Sequence, residues 1–175
     1  MNNQVKKKAR KIRMLILDVD GVLTDGRIIY DGSDNEFKNF NVQDGFGMVL
    51  LHRAGINSGI ITAKGSGALV KRAKEMEITN LYQNISDKLK TYNRILKRFG
   101  LKDKEICYIG DDLMDLPVLN RVGLAVSVAD GVSEVKKKAH YITGKKGGRG
   151  AVREVVEIIL KAQGKWAGVT DKYRG

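Results

Sequence analysis

Two aspartates two residues apart, Asp18 and Asp20, follow directly on an apolar run, Met14-Leu15-Ile16-Leu17, and lead into Gly21-Val22-Leu23-Thr24-Asp25. Four consecutive apolar residues of this kind suit a strand buried on both faces inside a parallel sheet. Open α/β sheets bind ligands outside the carboxyl ends of their strands, which is where this acidic pair falls. If the strand ends at Asp18, both carboxylates face one crevice from a tight turn that Gly21 relieves. Two carboxylates about 4 Å apart repel by roughly 4 kcal/mol at an effective dielectric near 20. A hard divalent cation offsets that repulsion, so the pair predicts an oxygen-ligated metal such as Mg²⁺.

Three further positions fall at equivalent places. The candidate strand 56–61 ends in Thr62, the candidate strand 105–109 ends in Gly110-Asp111-Asp112-Leu113-Met114-Asp115, and Lys88 opens the helix between them. A carboxylate pair, a hydroxyl, an ammonium and a second acidic cluster therefore converge on one rim. Each has a plainer reading by itself: Thr62 as a structural hydroxyl, Lys88 as a solvated head, Asp111 or Asp112 as a helix N-cap. The order and the scaffold together favour chemistry.

The elements that must position these groups alternate. Strands are predicted at 13–17, 56–61, 105–109, 124–128 and 141–143. Helices are predicted at 45–53, 66–75, 87–99, 113–121, 132–139 and 151–161. Such alternation implies right-handed βαβ units, hence an α/β fold with a three-layer, doubly wound, Rossmann-like parallel sheet, and one domain over residues 1–175. The β-leaning stretches 27–30 and 36–40 flank a turn-rich Asp31-Gly32-Ser33-Asp34-Asn35 and predict an inserted β-hairpin, read as a flap beside the crevice.

Composition narrows the partners. The chain has 175 residues and a formal net charge of +12. Its lysines and arginines are scattered, and with only 6% aromatic residues no stacking pattern accompanies them, so the basic surface is expected to draw in anionic metabolites and not nucleic acid. The basic N-terminal stretch reads as a frayed lead-in. No apolar run is long enough for a membrane span or a signal-peptide core, which predicts a cytoplasmic protein away from the membrane. Cys107 lies within an apolar strand and is expected to be a reduced core thiol.

Asp18-Val-Asp20-Gly-Val-Leu-Thr-Asp25, Thr62, Lys88 and Gly110-Asp111-Asp112-x-x-Asp115 resemble the four motifs of the haloacid dehalogenase superfamily of phosphotransferases. Phe40-Asn-Val-Gln-Asp44-Gly45, Gly110-Asp-Asp-Leu-Met-Asp115 and Gly147-Gly-Arg-Gly-Ala-Val-Arg-Glu154 resemble, more narrowly, its family of 3-deoxy-D-manno-octulosonate 8-phosphate phosphatases, which serve lipopolysaccharide precursor synthesis. The likeness runs from about residue 13 to the Ala162-Gln163-Gly164-Lys165 tail. It implies a nucleophilic Asp18 that forms an aspartyl-phosphate, and an Asp20 that protonates the leaving oxygen and then deprotonates water. It implies Mg²⁺ on Asp18, the Asp20 backbone carbonyl and Asp111, with Thr62 and Lys88 holding phosphoryl oxygens. Asp112 and Asp115 would orient Lys88 or metal-bound water. Substrate contacts by the same resemblance are Asn41, Val42, Gln43, Asp44, Gly45, Lys64, Arg72 and Arg149. The chain departs from the family at Ala63-Lys64, where Gly-Arg is usual, and at Gln43, where arginine is common; Lys64 offers a point charge in place of a planar fork.

Spacing adds one expectation. Asp18 to Thr62 is 44 positions and Thr62 to Lys88 is 26, and predicted elements fill both, which leaves no room for a separate cap domain. An open site needs a cover. The resemblance implies a homotetramer in which the C-terminal tail or the 147–150 stretch reaches a neighbour's crevice, and exposed apolar residues on the hairpin (Ile28, Ile29, Tyr30, Phe37) fit a buried contact.

Rival readings are a phosphatase for another sugar-acid phosphate of the nonulosonate type, one for a nucleic-acid 3′-phosphate, and a non-enzymatic receiver domain. A receiver places its phosphorylated aspartate on a later strand than its acidic pair, whereas Asp18 follows the first strand with Asp20 in reach. The glycine-rich 144–150 stretch lacks the Gly-Lys-Ser/Thr ending of a P-loop, and Asp18-x-Asp20 lacks the later ligands of an EF-hand.

Overall fold

The computed structural model describes residues 2–32 and 36–173. Met14–Leu17 forms β1, and all four of its residues are buried. Its alternate side chains serve opposite faces: Leu15 and Leu17 join a core with helices α1 (Asn3–Ala9), α2 (Val42–Arg53), α3 (Gly67–Glu75) and α7 (Ala151–Ala162). Met14 and Ile16 join a second core with α4 (Lys88–Phe99), α5 (Leu116–Leu119) and α6 (Ser133–Lys138). A strand with no polar face is stable only with helices on both sides, which is the reason for three layers.

The sheet is parallel throughout. With β4 (Asn57–Ile61), β5 (Leu81–Tyr82), β6 (Ile106–Gly110), β7 (Leu124–Ser127) and β8 (Tyr141–Ile142), its order is β5-β4-β1-β6-β7-β8. The chain winds outward from β1 through β4 to β5, then returns to β6 on the other flank. β1 leads to a helix on one face and β6 to helices on the other, so a crevice opens between their carboxyl ends. No helix among the described residues is long and apolar enough to cross a membrane.

β2 (Ile29–Tyr30) and β3 (Glu36–Phe37) pair antiparallel as the expected hairpin, shorter than its β-leaning stretches. Its turn at residues 33–35 lies outside the described residues. Ile28, Ile29, Tyr30 and Phe37 are all exposed. Among the described residues, only this hairpin and α2 stand between β1 and β4, and only α3 and β5 between β4 and α4. The fold is capless, as the spacing required.

Three expectations change. The N-terminal stretch is not a frayed lead-in: it forms α1, capped by Asn2, and buries Val5 and Ala9 one turn apart against α7. The helix expected over 113–121 is a 3₁₀ turn at Leu113–Asp115 followed by the four-residue α5, with Pro117 in its first turn. The aperiodic tail contains α8 (Trp166–Thr170), which packs Trp166 and Val169 on its own chain's core. Tyr173 then meets Arg53 and stacks edge-on against Phe46, so this described part of the tail packs back on the chain.

Candidate active site

The ends of β1 and β6 are held in register, Leu17 opposite Ile109. The chain leaves β1 through a tight loop in which Val22, Leu23 and Thr24 all donate backbone N–H groups to the Val19 carbonyl. Gly21 has φ +87°, and a Cβ there would lie 2.1 Å from Asp111 Oδ2. Glycine is needed twice over at this point, for its backbone and for the close approach of the β6 acid.

Asp18, Asp111 and Asp115 bring carboxylate oxygens within 4.8 Å of one another. The sequence had suggested that Asp18 and Asp20 would be the crowded pair. Instead the crowding runs across the strand ends, and the Asp20 side chain turns toward the hairpin. Asp20 still lines the same cleft of about 180 Å³, together with Asp18, Thr62, Ala63, Lys64, Lys88, Asp111, Asp112, Met114 and Asp115.

Lys88 ties the cluster together. It is 4% exposed, and its Nζ lies 2.9 Å from Asp18 Oδ1 and 2.7 Å from Asp115 Oδ1. Asp87 caps the helix that begins with it, accepting from Lys90 N at 2.8 Å. Burial pulls the Lys88 ammonium down, but the Asp18 and Asp115 charges more than compensate and keep it charged. Asp115 is fully buried and fully committed: Oδ1 accepts from Lys88 and from Tyr108 Oη at 2.6 Å, and Oδ2 accepts from the backbone N–H of Asp111 and Asp112. It fixes the Lys88 ammonium and the start of the β6 loop. Asp112 caps the 3₁₀ turn by accepting from Leu113 N, so its carboxylate serves the backbone.

The remaining two acids are under-compensated. Burial, with the Asp115 charge adding and Lys88 opposing, raises Asp18 to about 6. Burial, then the charges of Asp18, Asp115 and Asp112, raise Asp111 to about 8. Asp111 Oδ1 is buried with no hydrogen-bond partner. Three carboxylates against one ammonium leave two negative charges and one unpartnered oxygen, a donor set that fits a divalent oxygen-seeking cation.

Thr62 follows β4 with 1% exposure, and its Oγ1 accepts from Lys64 N at 3.3 Å. Lys64 lines the cleft rim. The other expected substrate contacts do not converge here. Asp44 is buried and accepts from Gly150 N and Arg153 N at the start of α7, so its carboxylate serves as a cap. Gly45 is buried against Arg72, whose Nη2 donates to the Asn41 carbonyl at 2.9 Å. Asn41 caps α2 by accepting from Gln43 N. Val42 and Gln43 are exposed, and Arg149 reaches Asp25 Oδ2 at 3.4 Å. The glycine-rich stretch packs on the loop after β1: Gly148 N donates to Val22 O, and a Cβ on Gly147 would strike Gly21 O at 1.8 Å.

One residue escaped the sequence reading. Lys38, just after β3, places its Nζ 2.5 Å from Asp20 Oδ1 and 2.8 Å from Glu36 Oε1. The available signal was strand alternation: Glu36 and Lys38 share the face opposite Phe37, an opposite-charge pair on one side of the strand.

Comparison with known proteins agrees with this geometry. The family profile of haloacid dehalogenase-like hydrolases matches residues 64–155. The 3-deoxy-D-manno-octulosonate 8-phosphate phosphatase KdsC of Yersinia pestis is 47% identical over 168 residues, covering 96% of this chain and 90% of that protein. The crystal structure of the Yersinia pestis phosphatase superposes with a TM-score of 0.95 at 46% identity, over 96% of this chain and 91% of that one. The Moraxella catarrhalis phosphatase, solved with magnesium, phosphate and KDO, superposes at 0.96 with 40% identity over 99% of both chains. The chain belongs to the haloacid dehalogenase-like hydrolases, in the family of the 3-deoxy-D-manno-octulosonate 8-phosphate phosphatases.

Proposed function

We infer that this chain is a single-domain, cytoplasmic, Mg²⁺-dependent phosphomonoesterase that converts 3-deoxy-D-manno-octulosonate 8-phosphate to the free sugar acid and phosphate. The observation that carries the reading is the buried Asp18–Lys88–Asp115 cluster beside the partnerless Asp111 Oδ1, on a chain collinear with a relative solved with magnesium, phosphate and KDO. Asp18, the Asp20 carbonyl and Asp111 would hold the cation. When bound, it neutralises charge between the acids and an incoming phosphate dianion.

The chain's own groups divide the work. Lys88 fixes Asp18 Oδ1, which leaves Oδ2 to attack phosphorus. As the Asp18–phosphorus bond forms and the bond to the sugar oxygen breaks, Asp20 gives its proton to that oxygen. Water then attacks phosphorus, Asp20 takes its proton, and the bond to Asp18 breaks to release phosphate. Thr62 and Lys88 meet the equatorial phosphoryl oxygens, where charge is spread in the transition state.

A cleft of about 180 Å³ suits a phosphoryl group, below the 300–1,000 Å³ typical of pockets that enclose whole ligands. The sugar acid must extend past Lys64 to the rim, under the hairpin acting as a flap. Four exposed apolar side chains on the hairpin support a homotetramer in which neighbours complete that outer wall. Phosphate release from a panel of sugar-acid phosphates and a 3′-phosphorylated oligonucleotide, with and without Mg²⁺, tests the reading. Turnover confined to the octulosonate ester with Mg²⁺ agrees with it; preference for the oligonucleotide, lost with added salt, contradicts it.

A further inference from the structure

The two acids assigned to the reaction are each gripped by one lysine, and the lysines come from different parts of the fold. Asp18 is held by Lys88, which opens a helix of the core. Asp20 is held by Lys38, which follows the second strand of the hairpin. The Asp20 backbone is fixed by the loop's bonds to Val19 O, but its side chain is 36% exposed, against 11% for Asp18. Lys38 engages Oδ1 of that carboxylate and leaves Oδ2 to face a reacting oxygen. Glu36 steadies Lys38 from the same face of the strand, at 2.8 Å.

We propose that Lys38 is a positioning residue: reaching in from the hairpin, it aims the Asp20 carboxylate, so that proton delivery to the leaving oxygen depends on the seating of the hairpin. The inference rests on Asp20 as proton donor. Lys38 itself need not touch the substrate. A catalytic group misplaced by about 1 Å costs on the order of 100-fold in rate, and an exposed carboxylate without its tether is free to rotate by that much.

The choice of leaving group separates aiming from mere structural support. A sugar alkoxide leaves only with a proton, whereas p-nitrophenolate leaves as a stable anion. Lys38→Met, Lys38→Arg and Asp20→Asn would be assayed on the octulosonate 8-phosphate and on p-nitrophenyl phosphate, with the nitrophenolate burst followed before steady state. Lys38→Met is expected to lower kcat on the sugar phosphate by about 30- to 100-fold, with KM and the nitrophenolate burst rate within about threefold of the parent. Lys38→Arg recovers most of the loss. A nitrophenolate burst slowed as much as kcat on the sugar phosphate, or parental kcat on the sugar phosphate, overturns the proposal. Normal sugar-phosphate turnover by Asp20→Asn would instead remove Asp20 as donor, and the underlying reading with it.

Discussion

At the strand ends, Lys88 is enclosed between Asp18 and Asp115, Asp115 spends both oxygens on four donors, and Gly21 leaves no room for the loop to shift. On the hairpin, Ile28, Ile29, Tyr30 and Phe37 stand in solvent, and Lys38 reaches back to the cleft. The first region is held by the two cores and by a net of charge-assisted bonds. The second is two short strands tied to the cleft by the Lys38–Asp20 ion pair. The contrast teaches where the protein places precision: the acid–lysine cluster sits on elements that cannot move without unfolding the sheet, and the hairpin beside it is anchored far more lightly.

The largest effects should come from the rigid region. Asp18→Asn is expected to abolish steady-state phosphate release, by on the order of 10⁴-fold or more, because no other group takes the nucleophile's place. Asp20→Asn should cost about 10²- to 10⁴-fold, the usual worth of an acid–base group. Normal turnover by either variant would erase the distinction between the two regions.

Asp115→Asn sharpens the same contrast through stability. It leaves Lys88 facing one acid and removes an acceptor from two backbone N–H groups, so urea unfolding should show a loss of about 3–5 kcal/mol. Phosphatase activity should fall with it. A change below about 0.5 kcal/mol would mean that the strand-end net is not rigid in this sense.

The crowded carboxyls give the rigid region a pH signature. Asp111 is raised to about 8 and Asp18 to about 6, and their protons must leave before a cation is held. Mg²⁺ affinity measured by calorimetry should therefore fall about tenfold per pH unit below pH 8, and more steeply below pH 6, with protons released on binding. A carboxyl raised in the folded state stabilises it fully below the unfolded value and loses that contribution as pH climbs through the folded value. The metal-free protein should accordingly lose Tm between pH 4 and 8, and Mg²⁺ should restore it most at the alkaline end. Affinity independent of pH would argue that Asp111 is not a ligand.

The smallest folding effect belongs to the hairpin. Phe37→Ser should change unfolding free energy by less than about 0.5 kcal/mol, because Phe37 is already exposed in the isolated chain. The same variant should shift a tetramer toward lighter species by sedimentation. Parent protein that sediments as a monomer at micromolar concentration would remove the subunit contact from the picture.

The same division governs what could be read in the sequence. β1 and β6 were legible because strands buried on both faces are apolar almost throughout, and the acids that follow them are then placed by the sheet. α1 was hidden because Val5 and Ala9 are its buried anchors amid lysines. α8 was hidden because five residues are too few to display a period. The capping role of Asp44 was hidden because an acid one turn into a helix shows no sign that its partners, Gly150 and Arg153, lie more than a hundred residues away. Lys38 lay on the element with the weakest pattern, and its partner Asp20 comes from outside the hairpin.

The most direct measurement is acid quench of the enzyme with labelled octulosonate 8-phosphate and Mg²⁺ in a single turnover, followed by mass mapping of the peptide that carries residues 14–27. A phosphoryl group on Asp18, absent from Asp18→Asn, is the predicted result. Turnover that proceeds with no phosphoryl group on Asp18 at any quench time, or with one on Asp111 or Asp20, would contradict the assignment.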